Sequence, residues 1–461
     1  MKILFVLPLR TDWGIRYSPG IASMSAVLKS RGYETLVLIT ERVDEVKQEV
    51  EKVRPDILAI SSTIVDFKFS CQIAKEIKQL DQKTFIICGG IQCILDPDES
   101  ILTGWFDAVC IQEGEYPLLE LVRSIESGDN KTDIKGLWFW NGGLIIRNEL
   151  RKPVNLERIP DPDREIFSEQ NADYYRGEMF LRPGEKGGIF QLSRGCLFNC
   201  SYCSASALRK HLGGNLYYRS LSPKRAVSQI VKAQKKYNYD YIFFADDTFT
   251  LDNRWAVEFL ELYRKKVGLP FHCQLRLNTF NEKMVELLSN SNCDSVAFGV
   301  ESGDVKLRTQ VLNRMITNGE IYQAAKWLRK YSIRICTYNM VGLPGESPLK
   351  FVKTILINRV IKPDMLYIFI FYPYKGTQLY EMCLNEGYLL LSKEVNDLNH
   401  RSESILKLPT FKKVDIEYYY SNFYKILSIS RIGLLGTIKF YLSLIPPSSG
   451  FSRWTRKVAD M

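Results

Sequence analysis

Three cysteines in the middle of the chain have the residue type and the spacing to hold an iron–sulfur cluster. Cys196, Cys200 and Cys203 follow one another at C-x3-C-x2-C. Thiolates are the protein ligands of four-iron four-sulfur clusters, and a loop this short reaches three of the irons. The fourth iron is then open to a small chelating molecule. A catalytic cluster needs such an open iron, whereas an electron carrier is expected to bring a fourth cysteine.

Two simpler interpretations of these cysteines compete with the first: a three-cysteine zinc site, or three unrelated core thiols. Zinc sites usually close with a fourth Cys or His. The nearest histidine, His211, lies in a charged stretch. Motifs further along the chain favour the iron–sulfur interpretation.

Carboxylates and glycines follow later apolar runs that we predict to be strands. Asp246 and Asp247 follow the second of these runs, Glu301 stands in the sequence F-G-V-E-S-G that follows the fourth, and Gly342 opens a glycine-rich loop after the fifth. Paired carboxylates suit a cationic partner. Either aspartate is equally well explained as the N-cap of the next turn.

The cysteine spacing, with Tyr202 before the last cysteine, resembles the signature of the radical S-adenosylmethionine (SAM) enzymes, and F-G-V-E-S-G is similar to a second motif of that family. The resemblance implies that the open iron chelates SAM and that an electron from the cluster cleaves it to methionine and a 5′-deoxyadenosyl radical. It also implies the SAM contacts, namely Tyr202, Asp246 and Asp247 at the amino group, Glu301 at the ribose hydroxyls and Gly342 on the adenine side.

The first third of the chain alternates strand and helix patterns. We predict strands at 3–7, 34–39, 57–61, 84–88 and 108–111, and helices at 21–30, 43–53, 67–79, 98–103 and 117–126. This alternation indicates a doubly wound, flavodoxin-like parallel sheet that binds ligands beyond the carboxyl ends of its strands. The candidate ligand contacts in those loops are Ser61, Ser62, Thr63, Gly89, Gly90, Glu113, Gly114 and Glu115.

This pattern is similar to the cobalamin-binding domain that precedes many radical SAM domains, which implies cobalamin as a cofactor. The chain lacks D-x-H-x-x-G, so no histidine is present there to ligate cobalt from below, and Gln92 stands where relatives often have histidine. The alternative is a flavodoxin-like domain that binds nothing, or a nucleotide. A G-x-G-x-x-G dinucleotide motif is absent.

A second alternation predicts a partial (β/α)6 barrel, whose active site lies at the carboxyl ends of the strands. The strands are expected at 188–192, 241–245, 272–277, 295–300, 334–341 and 366–371. Arg276, near the end of the third strand, and Asn278, just after it, carry little weight as site residues.

The predicted domains are a cobalamin-binding-like domain at 1–134, a hairpin and linker at 135–185, the radical SAM barrel at 186–385 and a helical C-terminal region at 386–461. The hairpin is expected at 136–146 with Asn-Gly at its turn, and the linker at 153–163 is rich in proline. Residues 416–445 read as one or two amphipathic helices that close the substrate side. Their aromatic and basic residues also fit contact with a membrane surface.

Composition fits a soluble globular protein of two or three domains. The chain has 461 residues, 46% of them hydrophobic and 25% charged, and a net charge of +10. Eleven cysteines, three of them in the cluster motif, argue for a reducing compartment, and the chain has no uncharged apolar stretch of spanning length. We expect a cytoplasmic protein without nucleic acid as partner.

Together these features predict a radical SAM C-methyltransferase that depends on cobalamin and acts on a small-molecule or lipid-like substrate. A reductant of the flavodoxin or ferredoxin type would be its partner. A second hypothesis is ring closure or rearrangement, as in the anaerobic magnesium-protoporphyrin ester cyclase. A third, disfavoured by the complete cysteine motif, is a metal-binding protein without catalytic activity.

Overall fold

The computed structural model describes residues 1–8, 17–129, 131–167, 186–390, 402–429 and 433–449. The chain divides into two compact units. One combines Met1–Leu197 with Ala207–Asp246, and the other combines Phe198–Ser206 with Asp247–Met461.

The first unit begins with a seven-stranded sheet. Its strands are β1 (Lys2–Pro8), β2 (Glu34–Thr40), β3 (Ile57–Ser61), β4 (Phe85–Gly89), β5 (Ala108–Cys110), β6 (Leu137–Asn141) and β7 (Leu144–Arg147). They lie in the order β2-β1-β3-β4-β5-β6-β7. The first five strands are parallel and the last two antiparallel. The predicted doubly wound sheet is confirmed, and the hairpin extends it at the β5 edge.

Helices connect the parallel strands, as the apolar periodicity predicts. They are α1 (Pro19–Lys29), α2 (Val43–Val53), α3 (Phe67–Leu80), α4 (Ile91–Leu95), α5 (Pro97–Leu102) and α6 (Glu115–Ser127). In α2, Val46 and Val50 are the buried residues, one turn apart on a single face. They join a core with apolar residues of the strands, among them Leu58 and Ile60.

The hairpin turn lies one residue later than predicted. Its two loop residues are Gly142 and Gly143, with φ of 56° and 96°, and Asn141 still belongs to β6. A two-residue turn that matches the twist of its strands needs positive φ at both positions. Gly-Gly meets this requirement without strain, so it takes the turn in place of Asn-Gly.

The second alternation begins in the first unit and continues in the second. Its strands and the short ladder beside the cysteines are β8 (Gly187–Phe190), β9 (Ser193–Arg194), β10 (Arg219–Ser220), β11 (Tyr241–Phe244), β12 (Phe271–Gln274), β13 (Cys293–Glu301), β14 (Arg334–Val341) and β15 (Met365–Ile370). Strands β8 and β11 pair in parallel, and so do β12 to β15 in chain order. β9 and β10 are antiparallel.

Helices alternate with these strands, as the predicted (β/α)6 arrangement requires. They are α7 (Ser204–His211), α8 (Pro223–Tyr237), α9 (Asn253–Lys266), α10 (Glu282–Asn290), α11 (Asn318–Lys330), α12 (Pro348–Ile361) and α13 (Gln378–Asn385), followed by α14 (Lys413–Ser428) and α15 (Gly433–Ser443) in the C-terminal region. No helix in the described part of the chain is both long and apolar enough to cross a membrane.

The proline-rich linker is ordered over its first part. Val154, Leu156 and Ile159 are buried. The guanidinium of Arg225 donates hydrogen bonds to the carbonyls of Leu156 and Ile159. The end of the predicted linker region, 168–185, lies outside the described residues.

Candidate active site

The middle cysteine of the predicted cluster loop is buried beside two cations. The Cys200 sulfur lies 2.9 Å from Nη1 of Arg276 and 4.0 Å from Nη1 of Arg314. All three residues are buried. A neighbouring guanidinium stabilises the thiolate form of cysteine. This surrounding therefore suits a thiolate that binds metal.

Cys196 and Cys203 flank this position along the chain. Cys196 follows β9, and Cys203 lies in a turn directly before α7, where its N–H donates to the Cys200 carbonyl at 3.2 Å. Across the described residues, no group of three or more His, Cys, Asp or Glu side chains is arranged to hold a metal ion. The donor chemistry nevertheless fits an iron–sulfur cluster, because three thiols of a short loop and two cations suit its negative charge.

Tyr202 and Glu301, both predicted to contact SAM, lie side by side in the second unit. The Tyr202 hydroxyl donates to Glu301 Oε1 at 3.0 Å, and Arg314 Nη1 donates to the same hydroxyl at 3.1 Å. Arg314 Nη1 also lies 3.8 Å from Glu301 Oε1. Burial raises the pKa of Glu301, and Arg314 opposes that rise.

The backbone at Glu301 is strained. Its φ is 60°, in the left-handed region that non-glycine residues rarely adopt. A Cβ on Gly299 would lie 1.9 Å from Glu301 Oε1. Gly299 of the F-G-V-E-S-G motif therefore leaves room for the carboxylate two residues later.

Sequence analysis missed Arg314 and gave Arg276 little weight. Arg276 bridges the Cys200 sulfur and Asn278, whose Oδ1 accepts from its Nε at 3.0 Å. Arg314 lies outside the site motifs, shortly after a π-helical turn at Leu307–Val311. Nothing in the neighbouring sequence marks Arg314 as a site residue, because only the folded chain brings it next to Cys200 and Tyr202.

The two adjacent aspartates have different environments. Asp246 is buried, and its Oδ1 accepts from the N–H groups of Leu192 and Ser193, at 3.1 and 2.6 Å, and from the Ser193 hydroxyl. Asp247 is accessible to solvent, but the protein around it desolvates the carboxyl and raises its pKa. Asp246 thus holds the backbone just ahead of the cysteine loop, whereas Asp247 takes no part in these hydrogen bonds.

The loop that begins at Gly342 is organised by a buried carboxyl group. Glu346 Oε2 accepts from the N–H groups of Gly342 and Leu343 at 2.8 and 3.2 Å. Gly342 has φ of 84°, and a Cβ there would lie 3.1 Å from the Ile416 side chain of α14. Burial raises the pKa of Glu346 to about 8.

The predicted cobalamin loops after β3 and β4 interlock. The Ser62 N–H donates to the Gly89 carbonyl at 2.8 Å, and Thr63 Oγ1 donates to Asp66 at 2.5 Å. Gly90 has φ of 101°, and a Cβ there would lie 2.4 Å from the Ser62 carbonyl oxygen. The glycine therefore lets the two loops approach each other. Ser61, at the end of β3, is partly exposed.

Both glutamates that follow β5 are paired with arginines. Glu113 contacts Arg194 and Arg219, and Glu115 contacts Arg194. Gly114 between them packs against Met24, whose sulfur would lie 2.5 Å from an added Cβ.

Two protein-family models match separate segments of this chain. The radical SAM superfamily matches residues 190–356, and the B12 binding domain matches residues 14–122. The chain therefore contains a radical SAM domain and a B12-binding domain. The resemblance that the cysteine spacing and the N-terminal pattern indicated is confirmed.

Two curated relatives are similar to most of this chain. An uncharacterized methyltransferase of Pyrococcus horikoshii is 28% identical over 91% of this chain and 92% of its own length. The anaerobic magnesium-protoporphyrin IX monomethyl ester cyclase of Rubrivivax gelatinosus is 24% identical over 83% of this chain and 70% of its own.

Solved structures show the same fold. The radical SAM methyltransferase TsrM from Kitasatospora setae, with tryptophan and a SAM analog bound, matches with a TM-score of 0.68 at 16% identity, over 84% of this chain and 76% of its own. The cobalamin-dependent SAM radical enzyme OxsB, with aqua-cobalamin and SAM bound, matches with a TM-score of 0.71 at 16% identity, over 96% of this chain and 71% of its own.

Proposed function

We propose that this radical SAM protein is a cobalamin-dependent methyltransferase that acts on an unactivated carbon of a small-molecule or lipid-like substrate. The observation that carries the proposal is the buried environment of Cys200, with Arg276 and Arg314 beside its sulfur, in a chain that also has a B12-binding domain. The relatives named as methyltransferases support the methyl transfer.

Cysteines and charged side chains would hold the radical-generating cofactors. Cys196, Cys200 and Cys203 are the proposed cluster ligands, and Arg276 and Arg314, beside Cys200, offset their negative charge. Glu301 is proposed to accept hydrogen bonds from the SAM ribose, and Tyr202 and Arg314 hold its carboxylate in place. When bound, the cluster, SAM and cobalamin supply a carbon radical and a methyl donor, so that the protein's own task is binding, orientation and exclusion of water.

Asp247 is the proposed partner of the SAM amino group, because it is accessible, whereas the Asp246 carboxylate already binds the chain beside it. The Gly342 loop is proposed to lie at the adenine. The loops with Ser61, Ser62, Thr63, Gly89 and Gly90 are proposed to meet cobalamin.

Aromatic side chains in the second unit support an apolar or flat substrate. Thr337 and Asn339 of β14 bond to Asn358 of α12, so Tyr338 between them points to the opposite face of the strand. Tyr338 lies beside Tyr367 of β15, with ring centroids 5.7 Å apart. Phe369, two residues further along β15, stacks on Tyr367. All three are partly exposed.

Product analysis tests the proposal. The protein would be purified without oxygen, reconstituted with iron, sulfide and hydroxocobalamin, and given SAM and a reductant such as flavodoxin. A methyltransferase consumes two SAM molecules per turnover and releases one 5′-deoxyadenosine and one S-adenosylhomocysteine. A Cys200→Ala variant should lose SAM cleavage and keep cobalamin, while Cys71→Ala, outside the site, should keep both. Cleavage by C200A would refute the assigned cluster site.

A second candidate function is ring closure or rearrangement. It is favoured by the likeness to the magnesium-protoporphyrin ester cyclases, which extends over 83% of this chain. A cyclase releases 5′-deoxyadenosine without S-adenosylhomocysteine, so the same product analysis separates the two candidates.

A further inference from the structure

Two arginines lie directly opposite each other on the short ladder beside the cysteine loop. Arg194 of β9 pairs with Arg219 of β10 in the antiparallel register. Like charges in directly opposed positions destabilise a strand pair. The pair therefore needs a counter-charge, and the turn between β5 and α6 provides it.

Glu113 of that turn is saturated with hydrogen bonds. Its Oε1 accepts from Arg194 at 3.0 Å and from Arg219 at 2.6 Å. Its Oε2 accepts from Arg219 at 3.1 Å and from the Val154 N–H at 2.9 Å. An ionised carboxylate offers about four lone-pair sites. Glu113 therefore has no acceptor site left for a ligand.

Glu115 completes the arrangement from the first turn of α6. Its Oε1 accepts from Arg194 at 2.6 Å and from the Ser23 hydroxyl of α1 at 2.7 Å, and its side chain is 2% exposed. Burial acts against ionisation, but the Arg194 guanidinium outweighs it and lowers the pKa of Glu115. Two carboxylates and two guanidiniums thus form a neutral cluster, which we call the Glu–Arg clamp (Glu113, Glu115, Arg194 and Arg219).

The clamp lies two residues ahead of the first cysteine. Gly195 separates Arg194 from Cys196, has φ of 90°, and would place a Cβ 2.8 Å from the Tyr217 ring. On the other side, Ser193 is held by Asp246. The chain entering the cysteine loop is therefore fixed at three successive residues.

We propose that Glu113 and Glu115 are positioning residues of the cysteine loop, acting through Arg194, and that they do not contact cobalamin. The clamp joins the segment matched by the B12-binding family to the start of the segment matched by the radical SAM family. Loss of one carboxylate would leave two partly buried guanidiniums with a single counter-charge, which is costly. The strain would appear at Cys196, the nearest cluster ligand. This inference rests on the proposed cluster and cobalamin sites.

The test compares Glu113→Gln and Glu115→Gln with Glu120→Gln, whose carboxylate pairs with Arg151 on the more exposed face of α6. Cobalamin affinity is measured by absorbance titration of the folded chain. Cluster stability is measured as the rate of iron loss to EDTA after anaerobic reconstitution. We expect E113Q and E115Q to bind cobalamin within threefold of the wild type, and to lose iron at least fivefold faster. E120Q should change neither quantity.

A conservative variant and a double variant separate positioning from a general loss of fold. Arg194→Lys keeps the charge but not the two-carboxylate geometry, and should also speed iron loss. Both changes disrupt the contact between Arg194 and Glu115. The double variant E115Q/R194K should therefore lose iron no faster than the more severe single variant. Tenfold weaker cobalamin binding in E113Q or E115Q, or an unchanged rate of iron loss, overturns the proposal. A wild-type protein that takes up neither cofactor would instead refute the proposed function.

Discussion

Two buried glutamates of the second unit, Glu301 and Glu346, have different surroundings. Glu301 is held between the Tyr202 hydroxyl and Arg314, so its charge is balanced inside the protein. Glu346 accepts hydrogen bonds from two backbone N–H groups, and the charge of Lys350 only partly opposes the effect of its burial. Its Oε1 has no hydrogen-bond partner within the described part of the chain. Burial raises the pKa of both carboxyls, and that of Glu346 reaches about 8.

We predict that Glu346 makes the folded chain less stable as the pH rises from about 4.5 to about 8. Its pKa is raised from 4.5 to about 8 by burial. The folded state then binds more protons in this window than the unfolded state, so the free energy of unfolding falls with increasing pH. Glu346→Gln keeps an oxygen acceptor for Gly342 and Leu343 but cannot ionise.

Chemical denaturation at pH 5, 6, 7 and 8 measures this effect. The difference in unfolding free energy between E346Q and the wild type should grow in favour of the variant across the series. The exposed Glu258→Gln should follow the wild type. A constant difference between E346Q and the wild type would show that Glu346 does not titrate in this range.

Among the secondary-structure elements, the loops after β3 and β4 depend on each other's backbone geometry. The loops after β3 and β4 are joined through Ser62, Gly89 and Gly90, and positive φ at Gly90 brings the second loop against the Ser62 carbonyl. The double glycine was predicted from the sequence to contact a ligand. In the structure, Gly90 also lies close to the neighbouring loop at Ser62, and this contact shapes the carboxyl end of the sheet.

We predict that Gly90→Ala destabilises the first unit more than Gly32→Ala does. Both glycines have positive φ, at 101° and 84°, and Gly32 has open space where a Cβ would lie. G32A should cost about 1–2 kcal/mol for the left-handed backbone alone. G90A adds a clash with the Ser62 carbonyl. Thermal unfolding and a cobalamin titration check this, and equal losses in the two variants would contradict it.

At the scale of the whole molecule, the C-terminal region is part of a folded core. Tyr419 and Phe423 of α14 lie against Phe351 of α12, with ring centroids 5.1 and 5.7 Å away. Both are fully buried. The amphipathic pattern therefore packs α14 against the second unit. The end of this region, from residue 450, lies outside the described residues.

We predict that Phe423→Ala lowers the free energy of unfolding of the second unit by about 3–5 kcal/mol, because it leaves a cavity among buried aromatic rings. Val414→Ala, at a position on α14 that is 52% exposed, should stay within about 0.5 kcal/mol of the wild type. Denaturant unfolding followed by tryptophan fluorescence measures both. Similar stability of the two variants would mean that α14 contributes little to the core.

Local sequence patterns were sufficient to predict the helices and strands and to identify the family resemblance. Strand alternation and helix periodicity depend on neighbouring residues, so α2 was predicted to the residue. Tyr202 and Glu301 were found because each stands in a motif. Arg314 was not, because its contacts with Cys200 and Tyr202 join residues more than a hundred positions apart.

The sequence by itself determined the cysteine spacing, the order of strands and helices, and the glycines that permit positive φ, since these are properties of adjacent residues. The tertiary structure alone decided which charges meet. It distinguished Asp246 from Asp247, brought Arg276 and Arg314 to Cys200, and paired Glu113 and Glu115 with Arg194. The physical reason is that burial and counter-charge depend on segments distant in sequence, and no local pattern encodes them.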